Sequence, residues 1–218
     1  MIKHFLSTFL YAVMGGVCIG AGATAYLCVE NKILGALLFT VGLFAICTMD
    51  FNLYTGKVSY ILEKKKYRFI DLIFIWLGNL AGTAAMSYLL KLTRIGDKLR
   101  GEASALCDTK LGDNPLSVFV LAIFCNLLIF IAIDSYKNNP HQLGKYLGLF
   151  FGIVTFIFCS YEHCVADMYY FFAADAWSLK TFVYLLIITA GNSIGGLIIP
   201  VFRNFYKSLS NERDTERV

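Results

Sequence analysis

Apolar and polar positions alternate along this chain on the scale of whole segments. Six runs carry no charge: Phe5 to Val29, Ile33 to Met49, Leu72 to Leu90, Leu116 to Ile133, Tyr146 to Tyr161 and Thr181 to Phe202. A helix crossing a bilayer needs about 20 mostly apolar residues, so the pattern predicts six transmembrane helices. The polar segments between them are Glu30 to Lys32, Glu63 to Arg68, Lys91 to Pro115, Lys137 to His141 and Ala174 to Lys180. The first run is too long for a signal-peptide core of about 7–15 residues and has no clean small-residue cleavage site, so it is expected to stay as the first span.

Two of the runs do not end cleanly. After Met49 the chain reads Asp50-Phe51-Asn52-Leu53-Tyr54-Thr55-Gly56-Lys57 before Val58 to Leu62, and after Tyr161 it reads Glu162-His163-Cys164-Val165-Ala166-Asp167 before Met168 to Ala174. Hydrocarbon offers no partner for free amides, so irregular backbone at membrane depth must be buried in protein or line a wet cavity. Both breaks therefore point inward. The chain also repeats itself: Gly78-Asn79-Leu80-Ala81-Gly82 in the third run matches Gly191-Asn192-Ser193-Ile194-Gly195 in the sixth, 113 residues later. The same offset carries Asp50 onto His163 and Leu43 onto Phe156. Three spans per repeat is an odd number, so the expected fold is all-α and membrane-integral, with two inverted three-helix repeats, roughly residues 1–90 and 116–206, and broken second and fifth helices. Paired broken helices in such repeats point to a transport site. The glycines let helices approach closely. Asn79 and Asn192 are read first as supports for the broken chain and alternatively as pore-facing amides.

Composition narrows the classes. Hydrophobic residues make up 58% and charged ones 16%, against about 45–50% and about 25% in soluble domains. A soluble surface and a disordered chain are both excluded. The 7 cysteines form no CxxC pair and are read as free thiols behaving as small hydrophobes. No cofactor, no metal and no nucleic-acid partner are expected. The net charge of +4 bears instead on orientation. With both termini cytoplasmic, that side collects Lys3, Lys64, Lys65, Lys66, Arg68, Lys137, Lys145, Arg203, Lys207, Arg213 and Arg217, whereas most outer cations sit in the 91–115 loop beside acids. The expectation is one multi-pass domain, residues 1–218, in the cytoplasmic membrane, with an outer loop at 91–115 and a short tail at 207–218.

These motifs resemble the formate/nitrite transporter family of anion channels over essentially all six spans. Asn52-Leu53-Tyr54-Thr55-Gly56 is similar to the family's acidic-Leu-Phe-Thr-Gly loop. Trp76 with Gly78-Asn79 resembles its third-span signature, Tyr161-Glu162-His163-Cys164-Val165-Ala166-Asp167-Met168 its histidine break, and Gly191-Asn192-Ser193-Ile194-Gly195-Gly196 its sixth-span motif. The resemblance implies an aquaporin-like fold, a homopentamer surrounded by lipid with one pore per protomer, and passage of small monovalent anions such as formate, nitrite or hydrosulfide. By position it implies a central pore histidine at His163 with Thr55, Glu162 and Asn126 beside it. It places hydrophobic constrictions at Phe39, Leu43, Leu53, Tyr54 and Phe156, and an outer vestibule lysine at Lys110. Three positions depart from the family pattern: Asn52 replaces an acid, Lys57 a small polar residue and Asp167 an asparagine. Asp50 is left as a candidate partner for Lys57.

As chemistry, His163 is the sharpest case, since an imidazole near neutrality can lend a proton or a charge to an anion crossing a dry region. The blander reading is a hydrogen-bonded strut. Thr55 is a donor to an anion or a turn hydroxyl, Lys110 an anion-steering charge or a solvated one, and the constriction residues are core packing unless a pore runs between them. Two other classes stay open. An intramembrane enzyme or electron carrier would use Glu162, His163 and Asp167, but His4 and His141 near the cytoplasmic ends leave no histidine pair for a haem or metal. An assembly subunit leaves the paired breaks without a purpose. A pore needs no covalent chemistry, and the chain is not expected to be an enzyme.

Overall fold

The computed structural model describes residues 2–62 and 68–215, the stretch 211–215 as helix backbone only. The expected basic residues Lys64, Lys65, Lys66 and Arg217, and the side chain of Arg213, lie outside the described residues. The described chain is helical: α1 (Ile2–Cys28), α2 (Lys32–Met49), α3 (Tyr54–Val58), α4 (Phe69–Lys91), α5 (Gly96–Gly112), α6 (Pro115–Asn138), α7 (Gln142–Phe158), α8 (Cys164–Ala173) and α9 (Leu179–Thr215). Local chemistry explains the clean starts. The Asn31 side chain accepts hydrogen bonds from Ile33 N and Leu34 N at 3.0 and 3.1 Å. Asn114 accepts from Ser117 N at 2.9 Å with Pro115 opening the helix.

Five of these helices, α1, α2, α4, α6 and α9, are long and apolar enough to cross a membrane. The fifth expected run forms a shorter apolar helix, α7, of 17 residues. It stops at Phe158, before the break, and α8 continues beyond it. Two expectations are corrected. The 91–115 segment, expected as an outer loop, is mostly α5. Leu99, Ala103 and Cys107 fall four residues apart and are buried at 1%, 0% and 2%, a helical stripe that a charge count hides. The expected tail is helix of α9 from 207 as far as Thr215, the last described residue.

Packing follows the small residues. α1 lies against α4 and α2, while α6 lies against α9 and α7, and α2 meets α7 between the two groups. A Cβ on Gly78 would fall 2.6 Å from Ala12 Cβ and 2.7 Å from Phe9 O, and one on Gly191 would fall 2.6 Å from Phe119 O and 2.7 Å from Ala122 Cβ. Both contacts are backbone-close and leave no room for a side chain. The outside is apolar, with Leu38, Phe44, Leu89, Phe124 and Phe151 exposed, whereas Thr55, Asn79, Asn126, His163 and Asn192 are buried. That distribution suits hydrocarbon as the surrounding solvent and keeps polar groups for the interior.

Candidate functional site

The site begins where α2 and α7 stop. Asp50 and Ser160 both adopt left-handed backbone, with φ of 51° and 53°. Each helix then closes in the same way, Phe51 N donating to Ile46 O at 3.1 Å and Tyr161 N to Phe156 O at 3.0 Å. Neither turn uses glycine, which is why the sequence gives no turn signal there. The chain next runs extended for a few residues and re-enters helix with Leu53 capping α3 and His163 capping α8.

One asparagine holds each break. Asn79 Oδ1 accepts from Tyr54 N at 2.8 Å, and its Nδ2 donates to Ala12 O at 2.7 Å and Asn52 O at 2.9 Å. Asn192 Oδ1 accepts from Cys164 N at 2.8 Å, and its Nδ2 donates to Ala122 O and Glu162 O, both at 2.8 Å. Three bonds thus tie each irregular segment to two long helices. The partners correspond at an offset of 110 residues, Ala12 to Ala122, Asn52 to Glu162 and Tyr54 to Cys164, while the asparagines stand 113 apart. The single offset expected from sequence is therefore corrected: His163 corresponds to Leu53, and Asp50 corresponds to Ser160. Three extra residues between break and asparagine in the second group account for the difference.

His163 sits between the breaks, buried to 1% exposure. Its Nδ1 accepts from Ala166 N at 3.1 Å, and its Nε2 lies 2.9 Å from Thr55 Oγ1. An amide N–H can only donate, so Nδ1 carries no hydrogen and the neutral ring holds its proton on Nε2, donating to Thr55. The threonine hydroxyl keeps its own hydrogen for another acceptor. Phe156 lies beside the imidazole with centroids 5.6 Å apart and meets Phe39 edge to face at 5.9 Å. Phe39, Leu43, Leu53 and Phe156 are each 1% exposed and belong to one buried apolar cluster, which reaches the imidazole through Phe156.

Cavities open on both sides of this centre. One, of about 40 Å³, is walled by Tyr26, Phe156, His163, Asp167, Tyr170 and Lys110 among others, near the C-terminal end of α1 and the end of α5. The other is walled by Asp50, Leu53, Lys57, Ile133 and Lys137 among others, near the C-terminal ends of α2 and α6. In the first, Lys110 Nζ lies 2.5 Å from Glu162 Oε2 and 3.0 Å from Asp167 Oδ1. Burial alone favours the neutral amine, but the carboxylates of Asp167 and Glu162 outweigh it and hold Lys110 above its usual value. In the second, Lys57 Nζ lies 3.4 Å from Asp50 Oδ1. The exchanged residues Lys57 and Asp167 therefore do not pair with each other.

The expected site residues divide into four groups. Phe156, His163, Lys110 and Asp167 wall one cavity and Leu53 and Lys57 the other, while Thr55, Phe39 and Leu43 are buried and line neither. Lys110 is not a solvated charge, its side chain being only 12% exposed. The others stand apart from the cavity walls: Glu162 pairs with Lys110, Asn79 and Asn192 hold the breaks, and three more bond elsewhere. Asn126 Nδ2 donates to Asn192 O at 2.7 Å on the α6–α9 seam, Tyr54 OH meets Ser193 Oγ at 2.9 Å, and Asn52 Nδ2 donates to Thr8 O at 3.1 Å. Sequence reasoning missed Tyr26 and Tyr170, which carry no local signal in a chain with 13 tyrosines.

Comparison with known proteins bears on this arrangement. The family profile described as "Formate/nitrite transporter" matches residues 1–206. The formate channel FocB of Escherichia coli (strain K12) is 26% identical over 183 residues, a match covering 75% of this chain and 65% of that protein. A probable formate transporter of Methanothermobacter thermautotrophicus is 26% identical over 207 residues, covering 82% of this chain and 76% of that protein. Among solved structures, a pentameric formate channel with formate bound superposes with a TM-score of 0.76 at 22% identity, over 96% of this chain and 98% of that one. A channel described as an FNT family ion channel gives 0.77 at 21% identity, over 93% and 90%. All four are transporters or channels, and none is an enzyme.

Proposed function

The chain belongs to the formate/nitrite transporter family, and from that premise we propose that this multi-pass membrane protein is a pore for small monovalent anions of weak acids: formate, nitrite or hydrosulfide. The observation that carries the proposal is the His163–Thr55 contact of 2.9 Å between two chain breaks, with a cavity on either side. Two groups of helices, α1 with α2 and α4, and α6 with α7 and α9, end in matching breaks, which supports six spans in two inverted repeats of aquaporin-like form. In that fold α2 with α3 and α7 with α8 act as the two broken spans. The α5 face is outer, and both termini are cytoplasmic in the cell membrane. Five copies assemble, each with its own pore, in keeping with the pentameric relative.

The mechanism follows from the dry centre. Phe39, Leu43, Leu53 and Phe156 exclude hydrated ions, since a stripped charge has nothing there to replace its water. The cavity beside His163, at about 40 Å³, holds roughly three water-sized groups at about 10–15 Å³ each. That is the size of a triatomic carboxylate. With His163 Nε2–H donated to Thr55, the threonine hydroxyl turns its own hydrogen to the passing anion. Moving a proton through His163 itself would break its bond to Ala166 N, so the histidine serves as a fixed donor and any accompanying proton travels on another group.

The test is formate flux into liposomes carrying His163→Phe or Thr55→Val. A donor to a charged group is worth about 1.5–3 kcal/mol, so flux should fall about 10- to 100-fold with assembly intact. Unchanged flux in both variants removes this pair from the mechanism.

A further inference from the structure

Lys110 and Asp167 line the cavity beside His163, and Lys110 also pairs with Glu162 behind it, so one cation stands against two carboxylates. Lys110, Glu162 and Asp167 have side chains only 12%, 4% and 1% exposed, so solvent screens their charges little. Glu162 is well satisfied by its short bond from Lys110. Asp167 is not. Its Oδ1 lies 3.0 Å from Lys110 Nζ without the alignment of a hydrogen bond, and neither of its oxygens has a hydrogen-bond partner, although the residue lines the cavity. A buried carboxylate with unmet lone pairs calls for a hydrogen donor.

Among the described residues no side chain is placed to donate a hydrogen bond to it. His163 is engaged at both ring nitrogens. The other titratable groups near Asp167 are thiols and phenols: Cys107 of α5, Cys125 of α6, Tyr26 of α1, and Cys164, Tyr169 and Tyr170 of α8 itself. The lysine of α3, Lys57, lines the opposite cavity beside Asp50, and α4 and α9 contribute no residue to this cavity's wall. Fully ionised, the three charged groups sum to −1. A unit charge about 6 Å from an anion, at an effective dielectric near 20, lowers its occupancy by roughly 100-fold.

We propose that Asp167 sets the charge selectivity of this pore: the cavity accepts its anion only when the Glu162–Asp167 pair holds one proton, so that anion and proton enter together. The proton comes from the solution on that face and binds a carboxylate oxygen of the pair. The resulting O–H is the missing donor and turns to the anion, and the cluster of one ammonium, one carboxylate and one carboxylic acid is neutral. By linkage, the anion promotes proton uptake as strongly as the proton promotes anion binding.

This rests on the anion-pore reading, and the experiment separates the two. Formate flux is measured in liposomes between pH 5 and pH 8.5 for the unaltered protein and for Asp167→Asn. The ratio of variant to unaltered flux should rise from near one at the acid end to about 10-fold or more at the alkaline end; a ratio constant within about twofold overturns the proposal. No formate, nitrite or hydrosulfide flux by the unaltered protein at any pH overturns the pore reading and this inference with it. Should Asp167→Asn fail to assemble, Glu162→Gln removes one carboxylate from the same pair and should give the same rising ratio. The unaltered protein also provides its own check: adding sodium formate to it in weakly buffered solution between pH 6 and pH 9 should draw up to one proton per protomer, and no uptake anywhere in that range contradicts the proposal.

Discussion

Asn79 and Asn192 each spend every polar atom on the backbone of a broken segment and of a neighbouring helix. Replacing either by alanine leaves one amide and one carbonyl of the break without the asparagine, at about 1–3 kcal/mol for each group left unpaired. Asn79→Ala and Asn192→Ala should both lower the unfolding midpoint, read by labelling of the buried thiols Cys125 and Cys164 during heating; a midpoint unchanged in both would mean the breaks are held by something else. His163 carries a second expectation at this scale. Its hydrogen on Nε2 and bare Nδ1 should appear as two distinct nitrogen resonances of one neutral tautomer at pH 7, and a doubly protonated ring would contradict the assignment. Both asparagines were legible in the sequence because small residues flank them in a repeated motif. The bonding of His163 was not, since no spacing rule reveals that its own helix uses Nδ1 as a cap.

Among the elements, α5 changes the account most. It brings Lys110 into a buried double ion pair, so Lys110→Ala leaves two carboxylates uncompensated and should cost about 3–5 kcal/mol of stability. The accompanying loss of flux should be equal at low and high salt, because a buried pair is poorly screened; a loss confined to low salt would restore long-range steering. The stripe Leu99, Ala103, Cys107 was present in the sequence, but Asp97, Lys98, Arg100, Glu102 and Asp108 around it read as a solvated loop. The breaks themselves were legible as polar interruptions. Their register was not, because Asp50 and Ser160 turn the chain left-handed without glycine, and a three-residue difference hides between the second break and its asparagine. Close helix contact at Gly191 gives a further expectation: Gly191→Val should prevent folding of the α6–α9 pair, seen as loss of assembled protein on size exclusion, and normal assembly would show that this seam can open.

For the whole molecule, the apolar exterior, buried amides and two opposed cavities all describe a bundle whose solvent is lipid and whose business lies along its axis. Overall class was plain from hydropathy alone. Which wall residues face each cavity was not, since Phe156 and Leu53 look like any core residue until the fold sets one beside His163 and the other in the opposite cavity. The most direct measurement is flux of formate, nitrite and hydrosulfide, side by side, into liposomes containing the purified protein, with a larger organic anion as control. The account predicts rapid passage of at least one of the three small anions and none of the larger one; equal rates for all, or rates no faster than protein-free liposomes, would contradict it.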